Sequence, residues 1–309
     1  MSLEIWLGAM NFGGRVPRDT SDAIIKHALS RGVTHIDTSN SYGDGTSETI
    51  VGETVGKLLD VTVATKVGLA RRAGKNEGLS PAIIRASVDA SRKRLRRDTL
   101  DTLYLHAPDP ETPVDVTIGT LVQLIDEHKI RSWSVSNYAA WQLAEMLLFC
   151  EQRGLPKPQL SQVLYNVLVR QVELEYLSFA KARGIRTLVY NPLAGGLLTG
   201  KHSHASLPTA TSRFANNKVY QRRYWSKPMF DRVAVLEQIA RDCDRSLLSL
   251  AYGWLAARQG VAGILVGPSA VSHIDDAIGA LALPLDVQTI KQLDDLEAAG
   301  SGTDARYAR

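Results

Sequence analysis

Several things this chain lacks narrow its possible functions. Cysteine is scarce: Cys150 and Cys243 are the only two in 309 residues. They supply neither a disulfide framework nor a metal-ligand spacing, and they fit a reducing, cytoplasmic setting. No run of about 18 apolar residues occurs, so no membrane-spanning helix is expected. The opening MSLEIWLGAMNFGG has no basic segment ahead of an apolar core, so no signal peptide is expected. Charge of one sign is not in excess, because 36 Lys and Arg stand against 32 Asp and Glu, for a net +4. The basic residues are scattered, and the densest run, SRKRLRRD at 91–98, reads as a solvated helix face, so no nucleic-acid partner is expected. Repeats and low-complexity segments are absent. No GxGxxG opens a helix after the first strand-like segment, which removes the Rossmann fingerprint.

What is present is an ordinary globular composition, 44% hydrophobic and 22% charged, in a chain long enough for one large domain over 1–309. Strand-like segments lie at 4–8, 33–37, 61–66, 100–106, 130–136, 160–165, 185–190 and 261–266. Helix-like segments alternate with them at 21–31, 47–59, 80–95, 114–128, 139–153, 171–183, 229–243 and 271–281. Ser80 followed by Pro81 reads as an N-cap with proline at the first helical position. Gly32, Gly154 and Gly184 follow helix-like stretches as C-terminal caps would. This α/β alternation argues a single (β/α)8 TIM barrel. Residues 192–228 break it as a long loop after the seventh strand, and 246–258 as an extra helix before the eighth. The tail 300–309 has no apolar periodicity and is expected to be mobile.

Three strand candidates close on a chemically capable side chain: Asp37, Lys66 and His106. Tyr42 follows the first of them in a loop rich in Gly, Ser and Asn. In a barrel these four would share one rim. An ammonium at Lys66 would favour the phenolate of Tyr42 and so strengthen its acidity from an ordinary pKa of about 10. Asp37 would keep Lys66 charged and oriented. His106 would direct a carbonyl oxygen toward the Tyr42 hydroxyl. None of the four is a hydride source, so a cofactor is implied.

The pieces GAMNFGG (8–14), DTSNSYGDGTSE (37–48), ATKVG (64–68), LDTLYLH (100–106), SVSNY (134–138), SQVLYN (161–166), YNPLAGGLLTGK (190–201) and LVGPSAVSHIDDAI (265–278) occur in one order at barrel spacing. Together they resemble the aldo-keto reductases, to about residue 285. The resemblance is greatest to the branch of aflatoxin-aldehyde reductases, potassium-channel β subunits and bacterial sugar-type reductases. It implies carbonyl reduction with NADPH, or with NADH as the lesser choice, on a small-molecule carbonyl substrate. Ser136, Asn137 and Gln162 match positions that hold the nicotinamide carboxamide, and Tyr190 the residue that stacks on the ring. The loop with Asn191, Leu193, Gly195, Leu198, Gly200 and Lys201 would cover the pyrophosphate, joined by Arg213. Gly267, Ser269, His273 and Asp276 would take the adenosine end. Gly8 and Met10, with Asp37, complete the cofactor set.

The chain departs from the family in two places. His273 stands where Arg or Gln is usual, and Ala277 where Asn is usual, so the adenine end is weakened. The N-terminal hairpin that usually plugs the barrel bottom is absent or truncated. Two other functions remain open. One is a cofactor-binding sensor or regulatory subunit similar to the potassium-channel β subunits. The other uses Lys66 as a Schiff-base lysine, which leaves Tyr42, Asn137, Gln162 and Tyr190 without a purpose. Substrate identity and oligomeric state are not legible.

Overall fold

The computed structural model describes residues 3–301 apart from 73, 207, 210, 211 and 216. Eight strands carry the fold: β1 (Glu4–Gly8), β2 (His35–Asp37), β3 (Thr62–Val67), β4 (Leu100–Leu105), β5 (Ile130–Ser136), β6 (Leu160–Leu164), β7 (Arg186–Tyr190) and β8 (Val261–Val266). They close in the order β1-β8-β7-β6-β5-β4-β3-β2, and every neighbouring pair is parallel. The helices are α1 (Arg18–Ser30), α2 (Thr46–Val55), α3 (Pro81–Leu95), α4 (Val114–Asp126), α5 (Ala140–Arg153) and α6 (Tyr176–Ala182). They continue with α7 (Lys218–Tyr224), α8 (Lys227–Asp242), α9 (Leu247–Ala256), α10 (Ser272–Leu281) and α11 (Val287–Ser301). The expected (β/α)8 barrel is the observed one.

The two-residue period of a strand explains how the barrel makes a site. One set of side chains fills the interior: Trp6, Ala64, Tyr104, Leu160, Leu188 and Leu265. The alternate set, with Leu7, Ile36, Val63, Leu103, Val135 and Val189, packs outward under the helices. Two residues further along the inward-facing set come Gly8, Lys66, His106, Gln162, Tyr190 and Gly267. Asp37 sits above His35 in the same way. The C-terminal rim is therefore the polar continuation of an apolar interior, and one-residue slippage of any strand would turn its rim residue outward.

The opposite mouth is closed by side chains. Trp6 stacks on His35 with ring centroids 4.7 Å apart. Its indole N–H donates to Glu4 at 3.1 Å, and Glu4 pairs with Arg186 of β7.

Elements differ from the sequence expectation where local anchors decide. The helix expected over 171–183 is a 3-10 turn (Gln171–Glu173) and then α6. Arg170 grips Glu173 at 2.9 and 2.8 Å, and Glu175, at φ −147°, breaks the path between them. The segment 192–228 is not all loop: it holds a 3-10 stretch, Ala194–Thr199, and α7. The extra helix is α9, capped by Ser246, which accepts from the Ser249 N–H at 3.1 Å. Helix α11 was not foreseen. Asp286 starts it by accepting from Thr289 N–H and Oγ1–H at 2.8 and 2.7 Å. Asp294 ties it to the barrel wall through Arg170 and Arg258 at 2.8 and 3.0 Å. The tail expected to be mobile lies outside the described residues from 302 onward.

Helices α2 and α3 meet through Gly52. A Cβ there would lie 2.1 Å from the Arg94 carbonyl oxygen. Gly52→Ala is expected to lower stability by about 1–3 kcal/mol through overpacking. The reading is a lower urea midpoint at an unchanged slope of free energy against denaturant.

Candidate active site

The rim residues of β2, β3 and β4 meet around one ammonium. Lys66 is fully buried, as is Asp37. Its Nζ pairs with Asp37 Oδ1, donates to Thr38 O at 2.8 Å and reaches Tyr42 Oη at 3.3 Å. All three N–H groups are thus committed. The second Asp37 oxygen accepts from Gln162 Nε2 at 2.8 Å. A lysine so enclosed, beneath the cleft wall rather than on it, is badly placed to attack a carbonyl. This argues against Schiff-base chemistry.

Tyr42 enters from the loop after β2 and comes edge-on to His106, with ring centroids 6.0 Å apart. Burial, and then the Asp37 charge, push the Tyr42 phenol well above its ordinary value. The stronger acid that the sequence argument expects of Tyr42 is therefore not the resting state, because burial and then the Asp37 charge raise the phenol. The phenol keeps its proton at neutral pH. Burial lowers the Lys66 ammonium, and Asp37 opposes that shift.

His106 is pushed well below its usual value, first by burial and then by the Lys66 charge. It is neutral at pH 7. Its Nδ1 lies 3.3 Å from Ser39 Oγ, and Ser39 Oγ accepts from the Ser41 N–H at 3.2 Å. Ser39 Oγ also lies 2.9 Å from Ser41 Oγ; with Ser41 donating across that contact, the Ser39 hydroxyl is left to donate to Nδ1, which puts the ring hydrogen on Nε2.

Above these groups opens a cleft of about 1090 Å³, whose lining includes Tyr42, His106, His273 and Asp276. Gly8, Met10, Asp37, Ser136, Asn137, Gln162 and Tyr190 lie on its walls. So do Asn191, Leu193, Gly195, Lys201, Arg213, Gly267 and Ser269. Asn137 adopts φ 64°, a left-handed turn that Asn tolerates. Its amide donates to His106 O at 2.8 Å and accepts from Tyr190 Oη at 2.7 Å. Ser136 Oγ donates to Gln162 O at 3.0 Å. The expected carboxamide residues and Tyr190 are therefore one bonded group spanning β4 to β7.

Two expected cofactor residues are not on the walls. Leu198 is buried in the core and its N–H goes to Leu193 O at 3.2 Å. Gly200 also lies outside the lining. Gly195 and Gly196, at φ 71° and 106°, make the open turn there. Arg213 reaches Asn11 Oδ1 at 2.7 Å and Tyr220 Oη at 3.0 Å, which puts it on the Tyr42 side. The Ser269 N–H donates to His273 Nδ1 at 3.2 Å, and burial holds His273 below its ordinary value. Sequence reasoning missed Arg15, Arg71 and Tyr252 on the walls. Tyr252 sits on α9, which was read from amphipathicity alone. Among the described residues no His, Cys, Asp and Glu cluster could hold a metal, and no helix is long and apolar enough to cross a membrane.

The model of the Aldo/keto reductase family matches residues 4–298. The chain belongs to this family. It is 32% identical over 303 residues to the mouse (Mus musculus) protein named aflatoxin B1 aldehyde reductase member 2, covering 93% of this chain and 83% of that one. It is 29% identical to a probable voltage-gated potassium channel subunit beta of Arabidopsis thaliana, covering 95% and 92%. The structure of the glycerol dehydrogenase AKR11B4 from Gluconobacter oxydans superposes with a TM-score of 0.81 at 28% identity, covering 99% of this chain and 94% of that one. The aldo/keto reductase assignment makes the chain a member of an oxidoreductase family that uses nicotinamide cofactors.

The depressed native value of His106 has a pH consequence. Below about pH 6.5 the unfolded chain binds a proton at this site that the native state does not, so stability falls as pH falls toward the native value. In urea unfolding between pH 6.5 and 5, His106→Gln is expected to remove about 1 kcal/mol of the fall seen in the wild type. An unchanged fall would mean that His106 protonates normally in the folded protein.

Proposed function

We propose that this protein reduces aldehydes or ketones to alcohols, with NADPH as its cofactor and Tyr42 as the proton donor. The observation that carries the reading is the Lys66 ammonium, held by Asp37 and Thr38 O while touching Tyr42 Oη. When bound, the nicotinamide supplies the hydride. The protein supplies the rest. A carbonyl oxygen between Tyr42 Oη and His106 Nε2 would meet two donors in a site that burial keeps dry. As negative charge grows on that oxygen, the Tyr42 proton moves to it, and Lys66, 3.3 Å away, stabilises the phenolate left behind. Asp37 prevents Lys66 from losing its proton instead. The raised resting value of Tyr42 suits a donor that must stay protonated until substrate arrives.

The cleft fits a dinucleotide in size and lining. It exceeds the ~300–1000 Å³ usual for a small-ligand pocket and has glycines where backbone must approach closely. Tyr190 and the Ser136, Asn137 and Gln162 group form one end. Lys201, near enough to His273 to oppose its protonation, offers a cation at the other. A neutral His273 is a poor partner for a 2′-phosphate, so the NADPH preference rests on Lys201, with Ser269 beside it. A second reading, a cofactor-binding subunit with little turnover, draws on the similarity to the potassium channel subunit beta.

Tyr42→Phe is expected to lower kcat for 4-nitrobenzaldehyde about 100- to 10,000-fold while the NADPH Kd, from fluorescence titration, stays within about twofold of the wild type. Tight NADPH binding without turnover on any carbonyl would favour the regulatory reading. Lys201→Ala is expected to weaken NADPH about tenfold and leave NADH nearly unchanged. Equal losses for both nucleotides would remove Lys201 from 2′-phosphate recognition.

A further inference from the structure

Four tyrosines line the cleft, and three of them are paired within the protein. Tyr190 Oη donates to Asn137 at 2.7 Å, Tyr220 Oη donates to Asn191 Oδ1 at 3.1 Å, and Tyr42 Oη meets Lys66 Nζ at 3.3 Å. The fourth, Tyr252 of α9, is only 3% exposed. Among the described residues its hydroxyl has no hydrogen-bond partner. A hydroxyl withdrawn from water without a partner costs free energy, and buried polar groups are nearly always paired. On the wall of a cleft, such a group is a donor held for a ligand.

A second group stands beside it. Asp276 lines the same cleft, and after burial its charge is what raises the Tyr252 phenol above the ordinary value. The phenol therefore keeps its proton at neutral pH. The Asp276 charge also reaches His273, but among the described residues Asp276 makes no ion pair. The wall thus presents an O–H donor next to a carboxylate acceptor. A ligand that satisfies both must offer the reverse pattern, an acceptor next to a donor. Adenine has it on one edge, where the ring nitrogen N1 adjoins the carbon that bears the exocyclic amine. Hypoxanthine inverts it, with an N–H beside an oxo group.

We propose that Tyr252 selects the base of the nucleotide cofactor, donating to N1 of adenine while Asp276 accepts from the amine. This rests on the cofactor assignment in the reductase reading and adds Tyr252 to it as a specificity-determining residue. With hypoxanthine the phenol O–H would face an N–H, and the carboxylate would face an oxygen. Both protein groups would be left unpaired, and a mismatch of that kind discriminates far more strongly than a lost apolar contact.

The test needs no turnover. Calorimetry compares adenosine 2′,5′-bisphosphate with inosine 2′,5′-bisphosphate for the wild type, for Tyr252→Phe, which keeps the ring, and for Asp276→Asn, whose amide can also donate. The wild type is expected to bind the adenosine compound about tenfold or more tightly than the inosine compound. Tyr252→Phe should weaken the adenosine compound about three- to tenfold and leave the inosine compound within about twofold. Asp276→Asn should narrow the preference toward one. Equal wild-type affinities, or binding of neither compound, would overturn the proposal. Equal losses for both compounds in Tyr252→Phe would overturn it too, because the ring would then pack against the nucleotide without reading its base. So would an unchanged preference in Asp276→Asn. A Tyr252-dependent base preference in a protein that turns over no carbonyl would keep this proposal and sink the reductase reading. Turnover of 4-nitrobenzaldehyde with no base preference would do the reverse.

Discussion

The Lys66 ammonium lies wholly inside the protein, and the rim of the barrel is arranged around it. A charge without water must find an opposite charge and a hydrogen-bond partner for each of its protons. Asp37, Thr38 O and Tyr42 Oη meet that need, and each comes from β2 or the loop that follows it. Asp37 in turn needs Gln162, which ties β6 across the barrel to the same pair. Closure of the sheet is thus what makes the site possible, since residues 37, 66 and 162 converge only if all eight strands keep register.

The same constraint sets the proton chemistry. Burial, and then the Asp37 charge, hold the Tyr42 phenol well above its ordinary value, so it rests protonated. His106, close to Lys66 and buried, rests neutral. A site in this state carries two uncharged donors facing the cleft above a locked ion pair. Its polarity is fixed before any ligand enters, which is the condition for electrostatic stabilisation without reorganisation. Around it the walls divide. The Asn137 and Tyr190 group forms a compact floor, the glycine turn at 195–196 leaves backbone open, and the long segment after β7 folds its own aromatic cluster of Phe214, Tyr220, Tyr224 and Trp225 against the mouth.

The barrel was legible because its strands alternate with helices and each signal is local. Asp37, Lys66 and His106 were legible because each closes a strand-like run, and Tyr42 because it follows one of them in a loop. What stayed hidden depends on contacts distant in sequence. The 171–183 segment reads as one helix until Arg170 is seen gripping Glu173. Helix α11 has a usable local signal in Asp286, Thr289 and the spacing of Ile290 and Leu293, but it lies beyond the motifs that carry the family resemblance, which end near 285. The resting state of Tyr42 could not be foreseen, because sequence shows that Lys66 and Asp37 are both present but not how deeply the phenol is buried beside them. Arg223 stands in the basic segment after β7, and only the fold brings it to the Tyr220 ring.

The claim at the centre of this account is that Lys66 acts on the reaction through Tyr42. A double-mutant cycle on kcat tests it, using Lys66→Met, Tyr42→Phe and both together, at saturating NADPH and with cofactor binding verified for each variant. If the two act as one unit, each single change costs nearly as much as the pair, and Lys66→Met adds almost nothing once Tyr42 is Phe. Losses that multiply in the double variant would show that Lys66 and Tyr42 contribute independently, and would contradict the account.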